Sequence, residues 1–425
     1  RGLGDVYKRQ RENLKAENTG WDFLQIQNQA ESKWNHYLGK IEVEGTNPDR
    51  TTQFYTHLYR SFIHPNVCSD VNGEYMGADF KVHKSRSKHY TSFSNWDTYR
   101  TQIQLLSILD PEVVSDIVIS HQLFAEEAGG AFPRWVMANI ETGVMQGDPT
   151  PILISNAYAF GARNYDPKPI FKTMRKGAEE PGAMSQEVEA RPGLKQYLDK
   201  GYYNASIQLE YTSADFAIAQ FALHAVGDEF ASWRYFHFAR SWKNLYNPET
   251  GWLQSRNPDG SWKPLTEDFR ESTYKNYFWM VPYDIAGLIE IIGGKAAAEK
   301  RLDEFFTRLD AGYNDAWFAS GNEPSFHIPW IYNWVGTPYK AQEIINRVLN
   351  EQYSSKIDGL PGNDDLGTMG AWYVFACIGL YPEIPGVGGF TVNTPIFSSV
   401  KVHLKKGDMV CLLYTSPSPR DRSLS

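Results

Sequence analysis

Residues 209–226 read LEYTSADFAIAQFALHAV, and this stretch decides the fold class. Apolar residues recur along it three or four positions apart, which is the spacing of one face of a helix. The same spacing predicts further helices at residues 54–62, 103–108, 113–124, 229–245, 283–292, 295–309, 338–353 and 367–380. Strands do not alternate with these segments, so the pattern gives no support to a doubly wound sheet.

Long loops that carry Trp, Asn, Asp, Glu and Gly separate the predicted helices. About ten or more paired helices with such loops predict a mainly α protein, an α/α barrel (toroid) whose loops collect at one end. A helical solenoid is the alternative. Residues 247–252 and 257–262 are rich in turn formers and predict turns that flank a short hairpin.

The amino-acid composition excludes several classes of protein and of binding partner. The chain has 425 residues, of which 42% are hydrophobic and 14% aromatic, as in a folded globular protein. Its formal net charge of -8 argues against nucleic acid as a main partner. No run of about 18 apolar residues occurs, so no membrane span is expected. The three cysteines are too few for a disulfide-rich scaffold.

The two ends of the chain differ from the rest. Residues 1–10 and 411–425 resemble translated sequencing adapters, which predicts that both segments are non-native and that the protein is truncated at both ends. A genuine basic N-terminus and a Ser/Pro-rich tail are the alternative. Between them we expect a lead-in helix and linker at 11–50, the barrel at 51–380, and the start of a truncated β element at 381–410.

Three loop stretches concentrate carboxylates beside Asn, Gly and aromatic residues, at 271–284, 321–330 and 362–372. Such loops can supply an acid and a base, and the adjacent Asp364 and Asp365 would raise one pKa or recruit a cation. The same residues also form turns and helix caps, which is the simpler reading of each motif. Asp97 and Arg100 could likewise be a cap and an ion pair, or a clamp for hydroxyl groups beside Trp96.

Other chemistries find little support in the sequence. The chain lacks a GxSxG elbow, a GxxxxGK[ST] phosphate loop, an HExxH motif and a cysteine pair at zinc spacing. His327 is more often a hydrogen-bonded loop histidine than a ligand. A hard cation held by oxygen ligands remains open, because Ca²⁺ needs only carboxylate, amide and carbonyl groups.

The chain resembles glycoside hydrolase family 92, the calcium-dependent exo-acting α-mannosidases, over most of residues 11–410. Motifs that match in order are WDTYR at 96–100, PRW at 133–135, Met145 with Gly147 and Asp148, GNEPS at 321–325, and GNDD at 362–365 with AWY at 371–373. The resemblance implies a catalytic (α/α)6 barrel and a preceding β-sandwich domain that is missing here. It also implies extracellular or periplasmic residence and hydrolysis of mannose-containing glycans such as N-glycans, with inversion, by two carboxyl groups about 6.5 to 9.5 Å apart.

The resemblance also assigns roles to individual residues. Glu271 matches the acid and Asp365 the principal base, with Asp364 beside it, while Glu323 and Asn322 lie in the motif associated with Ca²⁺. The ion would grip the hydroxyls at C2 and C3 of mannose. The residues implied in substrate binding are Trp96, Asp97, Arg100, Arg134, Trp135, Asp148, Tyr277 and His327.

Four positions depart from the family pattern: Ser272 replaces Gly, Asn276 replaces Gln, Thr368 replaces Gln, and Asn363 stands where some members have a carboxylate. The residues alone leave open whether Glu271 or Glu323 is the acid. They also leave open two rival functions, a non-catalytic glycan-binding toroid and a barrel glycosidase or lyase of other sugar specificity.

Overall fold

The protein is described here by a computed structural model that covers residues 3–18, 20–405 and 407–412. Its α-helices are α1 Leu3–Glu17, α2 Phe23–Leu38, α3 Pro48–Ser61, α4 Asn95–Thr98, α5 Gln102–Leu109, α6 Pro111–Glu127, α7 Pro149–Ala159, α8 Pro167–Glu179, α9 Leu194–Lys200, α10 Ala205–Phe221, α11 Glu229–Ala239, α12 Tyr274–Tyr277, α13 Ile285–Ile291, α14 Lys295–Phe305, α15 Ile331–Val335, α16 Pro338–Glu351 and α17 Thr368–Ile378. A π-helical turn at Ala222–Val226 extends α10, and 3-10 turns lie at Arg240–Leu245, Glu323–Ser325 and Ile328–Trp330.

The strands are short. They are β1 Ile41–Glu44, β2 Asn66–Val67, β3 Glu74–Met76, β4 Val82–Lys84, β5 Tyr90–Thr91, β6 Phe93–Ser94, β7 Trp135–Met137, β8 Ile140–Glu141, β9 Met184–Ser185, β10 Val188–Glu189, β11 Tyr246–Asn247, β12 Trp252–Leu253, β13 Leu380–Tyr381, β14 Thr391–Val392, β15 Ser399–Leu404 and β16 Gly407–Leu412.

The helices form an (α/α)6 toroid, and their burial separates inner from outer positions. All eleven residues of α17 are buried, and α10 and α7 are buried on nearly every side. By contrast, α8 and α16 bury one face only. A helix that is apolar all round needs neighbours on all sides, whereas an amphipathic helix can face water. The last helix, α17, also packs against the first helix of the barrel, α3, so the ring is closed and the predicted toroid is confirmed over the open solenoid.

The C-terminal β element pairs with the lead-in segment. Strand β15 lies between β1 and β16 in an antiparallel sheet, with Ile41 opposite Val402 and Val400 opposite Cys411. Residues 41–44, which the sequence places in the lead-in, thus help to close the barrel. The predicted hairpin near residue 250 is present as β11 and β12.

The predicted helices are present, with two informative differences. The prediction omits α7 and α8, both of which begin with a Pro-X-Pro sequence. Proline is accommodated in the first helical turn because the N–H groups there have no intrahelical acceptor. The segment predicted at 229–245 is α-helical only to Ala239 and continues as a 3-10 turn.

The predicted segment boundaries stay predictions. Helix α1 crosses residue 10 and β16 crosses residue 410, while residues 413–425 of the predicted non-native tail lie outside the described residues. Within the described part of the chain, no helix has the length and apolarity needed to cross a bilayer.

Candidate active site

Three acidic side chains from distant parts of the chain meet at one place. Asp97, Glu323 and Asp365 each offer a carboxylate oxygen, and these oxygens lie within 4.8 Å of one another. We call these three residues the carboxylate cluster. Three negative charges at this separation repel strongly, so the cluster must share protons or hold a cation.

Asp97 reaches the cluster from α4, directly after the short strand β6. Its side chain is buried, and Ser94 Oγ donates a 2.7 Å hydrogen bond to Asp97 Oδ2. Burial, followed by the charge of Asp365, raises the pKa of Asp97 to about 7, against the opposing effects of Ser94, Arg100 and Trp135. A carboxyl group with this pKa exchanges protons near neutral pH.

Glu323 opens the 3-10 turn Glu323–Ser325, with Pro324 in the position where a missing N–H costs nothing. The side chain is buried, and Glu323 Oε1 accepts no hydrogen bond from any described residue. Burial raises the pKa of Glu323 well above its usual value, and the charges of Asp97 and Asp365 raise it further. An unpaired buried oxygen costs about 1–3 kcal/mol, so this atom calls for a proton or a ligand.

Asp365 lies in the loop before α17 and has a left-handed backbone with φ of 46°. Burial raises the pKa of Asp365, and Asp364 and Glu271 add to the effect, whereas a hydrogen bond with Glu323 lowers it. The neighbouring Asp364 uses both oxygens at the start of α17, accepting 3.1 Å hydrogen bonds from the N–H groups of Gly367 and Gly370. Asp364 therefore caps a helix, while Asp365 faces the cluster.

Glu271 is exposed and also has a left-handed backbone, with φ of 50°, and its charge acts on Asp365. Asn322 Nδ2 donates a 2.7 Å hydrogen bond to the carbonyl oxygen of Glu271, which ties this loop to the one that carries Glu323. Tyr277 Oη donates to the carbonyl oxygen of Arg270 at 3.2 Å. Asn322 and Tyr277 thus fix the backbone on which Glu271 is presented.

Arg100 is engaged by contacts within the protein. Its Nη2 donates to Glu210 Oε1 at 2.8 Å and its Nε to the carbonyl oxygen of Trp96 at 3.1 Å, and its guanidinium lies 4.5 Å from the Trp96 ring centroid. Arg100 and Asp97 do not form the expected ion pair with each other, because Glu210 is the acid that Arg100 meets. A direct role of Arg100 or Trp96 in sugar binding stays a prediction.

Arg134 and Asp148 are likewise engaged within the protein. The Arg134 guanidinium donates to carbonyl oxygens of the neighbouring loops, among them Gly147 at 3.0 Å and Ala190 at 3.1 Å. Asp148 accepts a 2.8 Å hydrogen bond from Arg191, which also pairs with Asp215 at 2.8 Å. These contacts tie Arg134 and Asp148 to the segment at residues 190–191, and sugar contacts by Arg134 and Asp148 stay predictions.

His327 is buried beside the cluster loop. Its Nε2 lies 2.6 Å from the carbonyl oxygen of Trp279, and burial lowers the pKa of His327 to about 4. The ring is therefore neutral at pH 7 and donates this hydrogen bond from Nε2. This is the hydrogen-bonded loop histidine that the sequence favours.

Sequence reasoning missed two partners of the site. Glu210 lies in the middle of the buried helix α10, where a lone acid in an apolar stretch is the available signal. Ser94 lies three residues before Asp97, outside the motif that was singled out. Glu210 accepts a hydrogen bond from Arg100, and Ser94 donates one to Asp97. Such pairings depend on the fold and cannot be read from the composition of the loops.

The geometry agrees with a comparison of the whole sequence. The profile of the Glycosyl hydrolase family 92 catalytic domain matches residues 9–418. The chain belongs to this family. A curated relative, an uncharacterized secreted glycosidase of Arthroderma benhamiae strain ATCC MYA-4681 / CBS 112371, is 26% identical over a gapped alignment of 434 positions that covers 90% of this chain and 50% of the relative.

Solved structures of family 92 share the fold of this chain. A family GH92 α-mannosidase from Bacteroides thetaiotaomicron, whose structure is also known in complex with mannoimidazole, aligns with a TM-score of 0.87 and 29% identity over 95% of this chain and 55% of its own. A family GH92 inverting mannosidase from Bacteroides thetaiotaomicron VPI-5482 aligns with a TM-score of 0.86 and 28% identity over 95% of this chain and 59% of its own. The family 92 chain therefore spans between half and three-fifths of the length of these relatives.

Proposed function

We propose that this chain is the catalytic barrel of an exo-acting α-mannosidase that releases terminal mannose from glycans with inversion. The observation that carries the proposal is the convergence of Asp97, Glu323 and Asp365 within 4.8 Å. The names of the family 92 relatives, an α-mannosidase and an inverting mannosidase, support the choice of sugar and stereochemistry.

Glu271 is the proposed general acid and Asp365 the proposed base. Glu271 is exposed, so it can approach the glycosidic oxygen and transfer its proton to the departing alcohol. Asp365 is half-buried and would take a proton from the water whose oxygen attacks C1 from the opposite face. The role of Asp364 is then to position Asp365, because its own oxygens are engaged with Gly367 and Gly370.

The cluster also fits a calcium ion, which family 92 implies. Its donors are oxygens only, and Glu323 Oε1 is a buried acceptor without a partner among the described residues. Glu323 and Asn322 are the proposed holders, with the carboxylates of Asp97 and Asp365 adjacent. When bound, the ion would supply Lewis-acid stabilisation to the sugar hydroxyls.

The full-length protein is expected to be longer than this chain. Because the relatives are nearly twice as long, we expect a further β-sandwich domain to complete the cleft, with Trp96, Trp135 and Tyr277 on the barrel side. The name of the Arthroderma relative supports residence outside the cell.

The test is direct. The full-length protein that contains this chain is incubated with an α-linked mannobiose, and the first anomer of free mannose is followed by proton NMR; we expect β-mannose, with release suppressed by EDTA and restored by Ca²⁺. Appearance of α-mannose first would contradict inversion, and unchanged release in EDTA would contradict the metal. Binding without turnover would favour the glycan-binding toroid.

A further inference from the structure

Three consecutive residues before α17 have left-handed backbones. The φ angles are 46° for Asp365, 55° for Leu366 and 90° for Gly367. Gly367 requires this freedom and also its lack of a side chain, because a Cβ there would lie 2.8 Å from Ser61 Cα. Asp365 and Leu366 are not glycine, so each conformation is strained and needs compensating contacts.

Thr368 supplies contacts to the strained residue itself. Thr368 Oγ1 donates a 2.7 Å hydrogen bond to the carbonyl oxygen of Asp365, and the Thr368 N–H donates to the same oxygen at 3.3 Å. The side chain is fully buried, so no water competes for this carbonyl oxygen from its side. Thr101 Oγ1 in turn donates a 2.7 Å hydrogen bond to the carbonyl oxygen of Thr368. The two hydrogen bonds link Thr101, the residue before α5, through Thr368 to the backbone of Asp365.

The other supports of the loop act elsewhere. Asp364 accepts hydrogen bonds from the N–H groups of Gly367 and Gly370, which fixes the turn from the helix side, and neither bond involves the peptide plane after Asp365. The hydroxyl of Thr368 restrains that peptide plane, and rotation about it would swing the Asp365 side chain. Loss of the Thr368 hydroxyl should therefore change the orientation of Asp365, whereas loss of the Asp364 side chain should affect the beginning of α17.

We propose that Thr368 is a positioning residue that holds Asp365 in the left-handed conformation from which its carboxylate faces Glu323. The importance of this placement rests on the proposed function, in which Asp365 is the base. Thr368 touches neither sugar nor water in this scheme. It acts through the carbonyl oxygen of Asp365.

The experiment compares loss of the Thr368 hydroxyl with loss of its methyl group. Thr368→Val keeps the shape and removes the donor, and Thr368→Ser keeps the donor. Thr173→Val is the matched control, since Thr173 is also buried and its hydroxyl donates to the carbonyl oxygen of Pro169 within α8. Thr101→Val removes the hydroxyl that donates to Thr368 and provides an independent test if Thr368→Val does not fold.

We expect Thr368→Val to lower kcat on an aryl α-mannoside roughly ten- to hundredfold with little change in KM, as for a misplaced catalytic group. Thr368→Ser should restore kcat to within about threefold, and Thr101→Val should show a weaker loss of the same kind. Thr173→Val should leave both constants unchanged. Wild-type kcat in a folded Thr368→Val variant would overturn the proposal.

Crystal structures of the same variants give a readout that needs no turnover. In Thr368→Val we expect Asp365 to leave its positive φ and its carboxylate to move away from Glu323, with both restored in Thr368→Ser. An unchanged Asp365 in Thr368→Val would overturn the inference. If the wild type releases no mannose, the proposed function fails, but the two structures still decide the role of Thr368.

Discussion

At the scale of single residues, the site depends on two acids in different surroundings. Glu271 is exposed, whereas Glu323 is buried and one of its carboxylate oxygens has no hydrogen-bond partner among the residues that the structure describes. The motif in which each residue lies could be recognised from the sequence, but this difference in environment could not, because burial depends on packing by distant loops. The assignment of Glu271 as the acid stays a prediction, and its exposure leaves room for a leaving group that extends into solvent.

Glu271→Gln removes the proposed acid while keeping its size. We expect kcat on a mannobiose, whose leaving alcohol needs a proton, to fall about a hundredfold or more. With an activated aryl mannoside, which leaves unaided, the loss should be far smaller. Steady-state kinetics on both substrates measures the ratio. Equal losses on both would move the acid role away from Glu271, with Glu323 as the next candidate.

At the scale of elements, α17 connects the barrel core to the cluster. Its position is predictable, since the periodic stretch at 367–380 agrees with Thr368–Ile378 to within two residues. The left-handed turn that precedes it is not predictable, because Asp365 and Leu366 disfavour positive φ locally and adopt it under tertiary contacts. The sequence thus predicts where the helix lies. The orientation of the Asp365 side chain, in the turn before the helix, depends on tertiary packing.

Asp364→Ala tests the cap of this helix. Loss of its two backbone hydrogen bonds should destabilise the protein by about 0.5–2 kcal/mol, and it should also lower kcat, because the capped turn carries Asp365. Asp166→Ala is the control, since Asp166 caps α8 through a 3.0 Å bond from the Lys168 N–H. Urea unfolding and kinetics on both variants separate the effects. Equal kcat in the two variants would show that the cap is structural only.

At the scale of the whole molecule, several buried titratable groups outside the carboxylate cluster couple folding to pH. Burial raises the pKa of Glu383 to about 8, against partial opposition from Trp334 and Thr391, and neither carboxylate oxygen makes a well-formed hydrogen bond with a residue in the described part of the chain. Burial lowers the pKa of His57 to about 3 and that of His121 to about 4. None of these groups stands out in the sequence, because only the complete barrel buries them.

The pKa shifts of Glu383 and of the two histidines change the free energy of unfolding in opposite directions as pH rises. Between pH 4.5 and about 8 the folded protein keeps a proton on Glu383 that the unfolded chain has released, so this contribution falls as pH rises, by up to about 1.4 kcal/mol per unit. The histidines are neutral when folded, so their contribution is lost as pH falls below about 6.5. Glu383→Gln removes only the first effect. Urea unfolding at pH 5, 6.5 and 8 should therefore show the variant gaining stability relative to the wild type as pH rises, and parallel profiles would mean that Glu383 is ionised in the folded protein.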